Sequence, residues 1–263
     1  MALSGLQISA GIDTSYRLAA SNTAVTFLTA SADARSYILS EAAQIQAPDV
    51  RGNDFSDATL SFGIRHRRIL SEGALPTDFA IQAGRTWYSG DPYTQFINAS
   101  VGQSFVIDPQ NRLSLSLSAR QQNSLTDDEP VETASLSTRW VHARANNDTL
   151  SLGAIIKRAK SDSVDSDYLA TTYRATYDFA DSFQGMKFGF GVDAEFRDFD
   201  ASRYVSGPRE DRSLALNFSV EFTDWEFYGF RPVMNVEAKR NKSNVDLFDR
   251  DYGSFGFDLR SSF

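Results

Sequence analysis

Few side chains in this chain are candidates for covalent chemistry. Cysteine is absent, which removes thiol nucleophiles, a disulfide framework and thiolate metal sites. Two histidines, His66 and His142, leave little for a zinc site. A lipid hydrolase needs a serine hydroxyl beside a histidine that can take its proton. His142 lies in Trp140-Val-His-Ala-Arg144 with Ser137 upstream, but a spacing of five sets the two on opposite faces of an extended strand. His66, in Ile64-Arg-His-Arg-Arg68, is flanked by arginines, and nothing selects a serine for it. Both are read as polar wall residues, so the expectation is a protein without catalytic residues, cofactor or metal.

Charged rows are the next constellation. Lys187, Asp193, Glu195 and Arg197 fall on one side of a strand, Glu237 with Lys239 or Arg240 on another, and Arg65 with Arg67 on a third. Such rows line an aqueous pore or form a cross-strand salt-bridge network that plugs it. Their mixed signs favour ion pairs that hold a wall over a filter of one sign. The acidic stretches Thr126-Asp-Asp-Glu129, Ser161 to Asp167 and Asp246 to Asp251 lack the glycine and ligand spacing of an EF-hand and read as solvated charge. Lys and Arg number 26 against 34 Asp and Glu, a net charge of −8, and the cations are not clustered. Nucleic acid is therefore not an expected partner.

The elements that position these residues alternate with period two. Phe188, Phe190, Val192, Ala194 and Phe196 interleave with Lys187, Gly189, Gly191, Asp193, Glu195 and Arg197. Leu214, Leu216, Phe218, Val220 and Phe222 interleave with polar residues in the same way, as do Leu113, Leu115 and Leu117. A helix would scatter these sets around its circumference, whereas a strand sorts them. Strands are expected at 5–17, 24–39, 56–70, 78–89, 93–107, 112–124, 131–144, 149–160, 166–180, 185–199, 211–223, 228–241 and 250–263. Many exceed the usual soluble length and fit a tilted bilayer crossing.

Mean hydropathy is −0.34, and no apolar run approaches the length of a membrane helix. A transmembrane barrel hides from that measure because polar and apolar residues alternate. Working back from the C-terminus, linkers alternate long and short: 241–249, 224–227, 200–210, 181–184, 161–165, 145–148, 125–130 and 108–111. That pattern suits long outer loops and short periplasmic turns. Bacterial barrels have an even strand number with both ends in the periplasm, so the expected fold is an all-β, antiparallel transmembrane barrel of 14 strands, with 12 as the alternative. The extra strand is expected within Ser36 to Gln46. A soluble β-sandwich or lipocalin-like barrel, with its apolar faces turned inward, also fits the alternation.

Trp87, Tyr88, Trp225, Phe227, Tyr228 and Phe230 sit near strand ends, where rings suit membrane interfaces. At the C-terminus Phe255, Phe257, Leu259 and Phe263 share a face opposite Gly256, Asp258, Arg260 and Ser262. A terminal aromatic behind alternating apolar residues resembles the signal read by the barrel assembly machinery. The start, MALSGLQ, has neither the basic nor the apolar region of a signal peptide. For an extracytoplasmic protein this reads as a mature or trimmed chain with an added Met.

Tyr204-Val-Ser-Gly-Pro-Arg-Glu-Asp-Arg212, Tyr228-Gly-Phe-Arg-Pro-Val-Met234 and Arg240-Asn-Lys-Ser-Asn-Val-Asp-Leu-Phe-Asp249, closing on Gly256-Phe and Phe263, resemble the barrel of surface lipoprotein assembly modifiers, the Slam family. Gly11-Ile-Asp-Thr-Ser-Tyr16 resembles the family's opening strand. The resemblance implies a 14-stranded barrel of the bacterial outer membrane that helps move lipoproteins to the cell surface. Expected partners are outer-membrane lipids, a lipoprotein substrate and the barrel assembly machinery, with the protein acting as a monomer. Residues 1–263 are expected to be one barrel domain without the family's N-terminal tetratricopeptide repeats, since no 34-residue helical repeat is visible. A lateral opening would let acyl chains stay in the bilayer while polypeptide crosses the lumen. Its expected place is the seam between the first and last strands, marked by Leu6, Gly11, Tyr16, Gly253 and Phe263. A porin-like passive channel for small solutes is the competing function.

Overall fold

In the computed structural model, which describes residues 5–39, 41, 45, 51–70, 75–126 and 129–261, the alternating segments are strands. They are β1 (Gly5–Ala20), β2 (Ala24–Leu39), β3 (Asp57–Arg68), β4 (Thr77–Tyr88), β5 (Asp91–Val106), β6 (Asn111–Ser124) and β7 (Pro130–Ala143). β8 (Thr149–Ser161), β9 (Tyr168–Asp178), β10 (Met186–Phe199), β11 (Arg209–Phe222), β12 (Phe230–Ser243) and β13 (Arg250–Ser261) follow. Each strand is hydrogen-bonded to its sequence neighbours, and β1 meets β13 to close a barrel.

The apolar faces point outward. Phe62 is 55% exposed, Ile81 60%, Leu117 54%, Phe190 51% and Leu216 56%, which excludes an internal core built from these residues. Among the described residues, the buried apolar side chains are few and mostly small, such as Ala159, Ala170 and Ala215. A wall with its greasy face outside and its polar face inside is the arrangement of a lipid-embedded barrel, and the reverse of a sandwich or lipocalin. No described helix is long and apolar enough to cross a membrane.

Several expectations are corrected. The described strands number thirteen, as in the strand-by-strand reading, and neither 14 nor 12. Among the described residues no separate strand appears within 36–46, and residues 40, 42–44 and 46 of that expected strand lie outside them. Residues 36–39 continue β2, whose ladder with β1 runs on to Gly5 against Leu39, and the described positions Glu41 and Ile45 beyond it are helical.

An odd number of consecutively antiparallel strands can close only with one parallel pair. The barrel is therefore not wholly antiparallel: β1 and β13 are parallel, from Leu6 against Gly253 to Ile12 against Leu259. Gly5 and Ser261 then lie at opposite rims, not together. We call the rim bearing Ser261 the lower rim and that bearing Gly5 the upper rim.

The linker asymmetry is also smaller than expected. β12 extends to Ser243, which shortens the upper loop to 244–249, similar in length to the lower connection 223–229. In the lower connections, Phe183 and Phe227 bridge back to Met186 and Phe230 around Gln184-Gly185 and Tyr228-Gly229. All four of those central residues have positive φ, as have Ser89 and Gly90 between β4 and β5, so these are tight hairpin turns of the kind that match strand twist.

Candidate functional site

The inner wall is built from the polar positions of the alternation, and it has two arcs. Along β2 to β7 small hydroxyls pair across strands: Ser31 with Ser61 at 2.5 Å, Thr59 with Thr86 at 2.9 Å, Ser104 with Ser114 at 2.8 Å, Ser116 with Ser137 and Ser118 with Ser135 at 2.7 Å. Between these ladders lies a cavity of about 650 Å³, lined by Ser61, Gln82, Asn98, Ser118, Arg120 and Ser135. Near its upper edge the Arg120 guanidinium stacks on Phe96, 3.8 Å from the ring centre.

Along β9 to β13 the wall is charged. Arg174 binds Asp193 through two nitrogens at 2.6 and 3.1 Å, and Asn217 donates to the same carboxylate at 3.1 Å. Arg197 reaches Glu195 at 2.7 Å, Asn235 donates to Asp258 at 2.6 Å, and Arg260 meets Glu221 at 2.9 Å. A second cavity, of about 520 Å³, opens among Arg174, Asp193, Asn217, Glu237 and Asp258. A barrel of this strand number is too wide for side chains to fill, so inward charges can stay hydrated.

Of the charged rows singled out from sequence, Asp193, Glu195 and Arg197 lie on this inner wall, with Lys187 on the same face below them opposite Glu221. Glu237 and Lys239 face inward, while Arg240 faces outward toward Asp251 at 3.6 Å near the upper rim. Arg65 and Arg67 share Asp78, at 2.8 and 3.0 Å. The central partner that sequence reasoning missed is Arg174. Its signal was present, since Thr172, Arg174 and Thr176 alternate like the residues of β10.

The upper rim holds the most enclosed cluster. Arg209 is 6% exposed and lies between the rings of Phe199 and Phe248, 3.6 and 3.7 Å from their centres, while its guanidinium pairs with Asp211 at 3.0 Å. Asn244 accepts from the Glu210 backbone N–H and donates to the Pro208 carbonyl, tying two loops together. Tyr204 packs edge-on against Phe248 at 5.5 Å. Residues from Tyr204-to-Arg212 and from Arg240-to-Asp249 thus converge on one structure.

These convergent segments belong to a recognisable sequence pattern, which matches the family described as surface lipoprotein assembly modifier over residues 3–263. The chain belongs to the surface lipoprotein assembly modifier family. No curated protein matches it. Among solved structures it is similar to OprD of Pseudomonas aeruginosa, at 11% identity and TM-score 0.42, covering 96% of this chain and 91% of that one. OccAB3 of Acinetobacter baumannii is similar at 11% identity and TM-score 0.44, with 92% and 88% covered. The beta domain of the Bordetella autotransporter Brka matches at 13% identity and TM-score 0.34, with 98% and 99% covered.

In this surface lipoprotein assembly modifier the remaining candidates fall as follows. His142 faces outward near the lower rim, donates from Nδ1 to Asn111 Oδ1 (3.0 Å) and stacks on Trp140, while Ser137 faces the lumen. His66 is also on the outer wall, 3.0 Å from Thr26. Neither histidine meets a lumen serine. Trp225, Phe227 and Tyr228 are exposed at the lower rim, and Trp87 and Tyr88 lie at the upper one, so aromatic side chains mark a point on each rim. Of the acidic stretches, residues 127–128 lie outside the described residues, and no described cluster of acidic or histidine side chains forms a metal cradle.

The lower turns are locked by carboxylates. Asp148 accepts from the Ala180 N–H at 2.9 Å, the Tyr177 hydroxyl at 2.6 Å and the Asn146 amide at 2.7 Å, which together hold it below the usual aspartate range. Asp108 is held low by the Asn111 side chain and by the Gln110 and Asn111 N–H groups.

At the seam, Leu6, Gly11 and Gly253 lie within the parallel ladder, and Tyr16 lies below it at 71% exposure. Phe255, Phe257 and Leu259 face outward, and Phe263 lies outside the described residues. Small residues bring the strands close: a Cβ on Gly256 would meet the Ser9 hydroxyl at 2.7 Å.

Proposed function

We propose that this chain is an outer-membrane barrel of Gram-negative bacteria that delivers lipoproteins to the cell surface, acting without cofactor and without covalent chemistry. Family membership supports the cargo class, and the outward apolar faces, with aromatic side chains near both rims, support the membrane setting. The observation that carries the route is the β1–β13 seam. It is the one parallel ladder among the described strands, and it is short.

A lipid-anchored polypeptide poses a particular problem. Its acyl chains belong in hydrocarbon and its backbone in water, so the wall between them must part along one line. The seam is where parting breaks the fewest ladder bonds. Hydrated cavities along the hydroxyl and charged arcs give the polypeptide an aqueous path. Outer-membrane lipids, the lipoprotein and the barrel assembly machinery are the partners in this reading, and the barrel acts as a monomer with Ser261 toward the periplasm.

The test has two stages. Unfolded chain is diluted into buffer with and without lipid vesicles. The reading requires strand circular dichroism and heat-modifiable gel migration only with lipid, and a cooperative β-fold in plain buffer contradicts it. Cells producing a lipoprotein with and without this chain are then shaved with protease, and display that does not depend on the chain removes the delivery role. The lumen cavities favour a second reading, a passive channel, which predicts steady conductance in a planar bilayer in place of silence or rare flickering.

A further inference from the structure

Among the described residues β1 runs on past its short ladder with β13. β1 pairs with β2 from Gly5 to Ala20, but its ladder with β13 among the described residues ends at Ile12 against Leu259. The alternation of exposure along β1 ends at the same place. From Leu6 to Ile12 exposed and half-buried residues alternate, whereas every residue from Asp13 to Ala20 is exposed. Tyr16, 71% exposed, sits on the outer side of this stretch, and Leu18, 52% exposed, lies in the β-bulge between Arg17 and Ala19. A strand edge left open is a template for another strand, above all where lipid offers no alternative hydrogen bonds.

Direction adds the second constraint. Because β1 and β13 run the same way, a single strand laid between them in the opposite sense is antiparallel to both. It would replace the parallel ladder, the weaker kind, by two antiparallel ones and leave fourteen strands in an even, wholly antiparallel wall. No strand inserted elsewhere in the barrel could do this, since every other described neighbour pair is already antiparallel.

The seam also states what side chains it would accept. On its inner side the seam is lined by small residues, Ser9, Gly11, Ser254 and Gly256, with carboxylates packed against them. A Cβ on Gly11 would lie 2.9 Å from Asp33 Oδ1 and 3.3 Å from Asp258 Oδ1, with Asp13 two residues below on the same face. The cations nearby are engaged or displaced: Arg35 with Asp57, Arg260 with Glu221, and Arg17 lower on β1.

We propose that the β1–β13 seam is an acceptor for one extended strand of a partner polypeptide, apolar on its outer face and carrying lysine or arginine beside Gly11 on its inner face. The strand enters along residues 13–20 from the lower rim and zips upward through the parallel ladder. This rests on the delivery reading for its biological role, since the partner strand is then a segment of the exported lipoprotein.

The test uses the full chain refolded in phosphatidylcholine vesicles, whose headgroups carry no net charge, with heat-modifiable migration checked for each variant. The probe is a synthetic peptide of alternating Leu and Thr with two central inward lysines and one cysteine at either end. The protein lacks cysteine, so Tyr16→Cys or Leu6→Cys supplies the only other thiol. Antiparallel insertion requires the N-terminal-cysteine peptide to cross-link to Tyr16→Cys and the C-terminal one to Leu6→Cys. Each should exceed the swapped pair about 10-fold, and replacing the lysines by aspartate should cost a similar factor.

Swapped or equal yields overturn the proposal, as does equal cross-linking at Leu136→Cys on β7, across the barrel from the seam. Lipoprotein display in cells carrying a disulfide-locked seam is read separately. Ordered cross-linking with display unaffected by the lock keeps the acceptor and removes the delivery route through it. Display blocked by the lock without ordered cross-linking keeps the route and overturns the acceptor.

Discussion

The seam and the β10–β11 ladder are built from the same kind of alternating sequence, yet they close the wall to different degrees. β10 and β11 pair along their whole length, from Met186 against Phe222 to Phe199 against Arg209. Rings reinforce that pairing on the outer face, with Phe218 lying 6.0 Å from Phe188 and 5.0 Å from Phe190. Its upper end is clamped by Arg209 between Phe199 and Phe248. At the seam seven parallel residue pairs, Leu6 to Ile12 against Gly253 to Leu259, face each other across glycines and serines, and the described residues show no ring pair across it. Strength of closure is thus set by ladder direction, overlap and ring pairing, not by hydrophobic content alone.

The largest expected effect breaks the strong side. Arg209→Ala leaves Asp211 buried without its cation and empties the slot between two rings, at a cost of about 3–5 kcal/mol. Arg260→Ala, beside the seam and exposed, should cost about 0–1 kcal/mol despite a similar ion-pair distance. Urea unfolding from vesicles compares the two, and equal costs would dissolve the contrast.

Next comes amide exchange in the refolded barrel. Backbone N–H groups of residues 6–12 that point toward β13 should exchange about 100-fold faster than ladder amides of β10 and β11, because the seam opens without global unfolding. Uniform protection around the barrel would show that no line of weakness exists.

A smaller effect separates packing from burial. Phe218→Ala and Phe257→Ala both remove an outward ring, but only the first also loses two aromatic pairs, each contributing about 0.5–1.5 kcal/mol. Phe218→Ala is therefore predicted to destabilise by about 1–3 kcal/mol more, read from the same unfolding curves.

The smallest effect lies at the lower rim. The folded-state pKa of Asp148 is depressed, so its stabilising contribution is present above the ordinary aspartate pKa and fades as pH falls through the folded value. Asp148→Asn should match the parent at acid pH and fall slightly below it near neutrality. A difference that grew on acidification would reverse the sign.

Much of this was legible in the sequence, and the reasons are specific. Period-two alternation locates strands because each side chain has only two faces to choose from, and no described strand end lies more than three residues from its expected position. The inner row of β10 was readable for the same reason, and Arg174 on β9 could have been read alike. Parallel closure was not readable, because pairing between residues 6–12 and 253–259 leaves no local trace and the even-number rule pointed away from it. Nor was the Arg209 clamp, which joins residues from three distant stretches. Positive φ at Gln184 and Tyr228 was similarly hidden, since only the glycine after each signals the turn.

The central claim is that the wall parts at the seam. Two disulfide locks test it in cells that display a lipoprotein: Ile8→Cys with Phe255→Cys across β1 and β13, and Val192→Cys with Leu216→Cys across β10 and β11. With no native thiols to interfere, each lock can be closed by oxidant and reopened by reductant. The account predicts that the seam lock abolishes display until reduced while the β10–β11 lock leaves it unchanged. Display that persists with the seam locked, or that is lost equally with either lock, would contradict it.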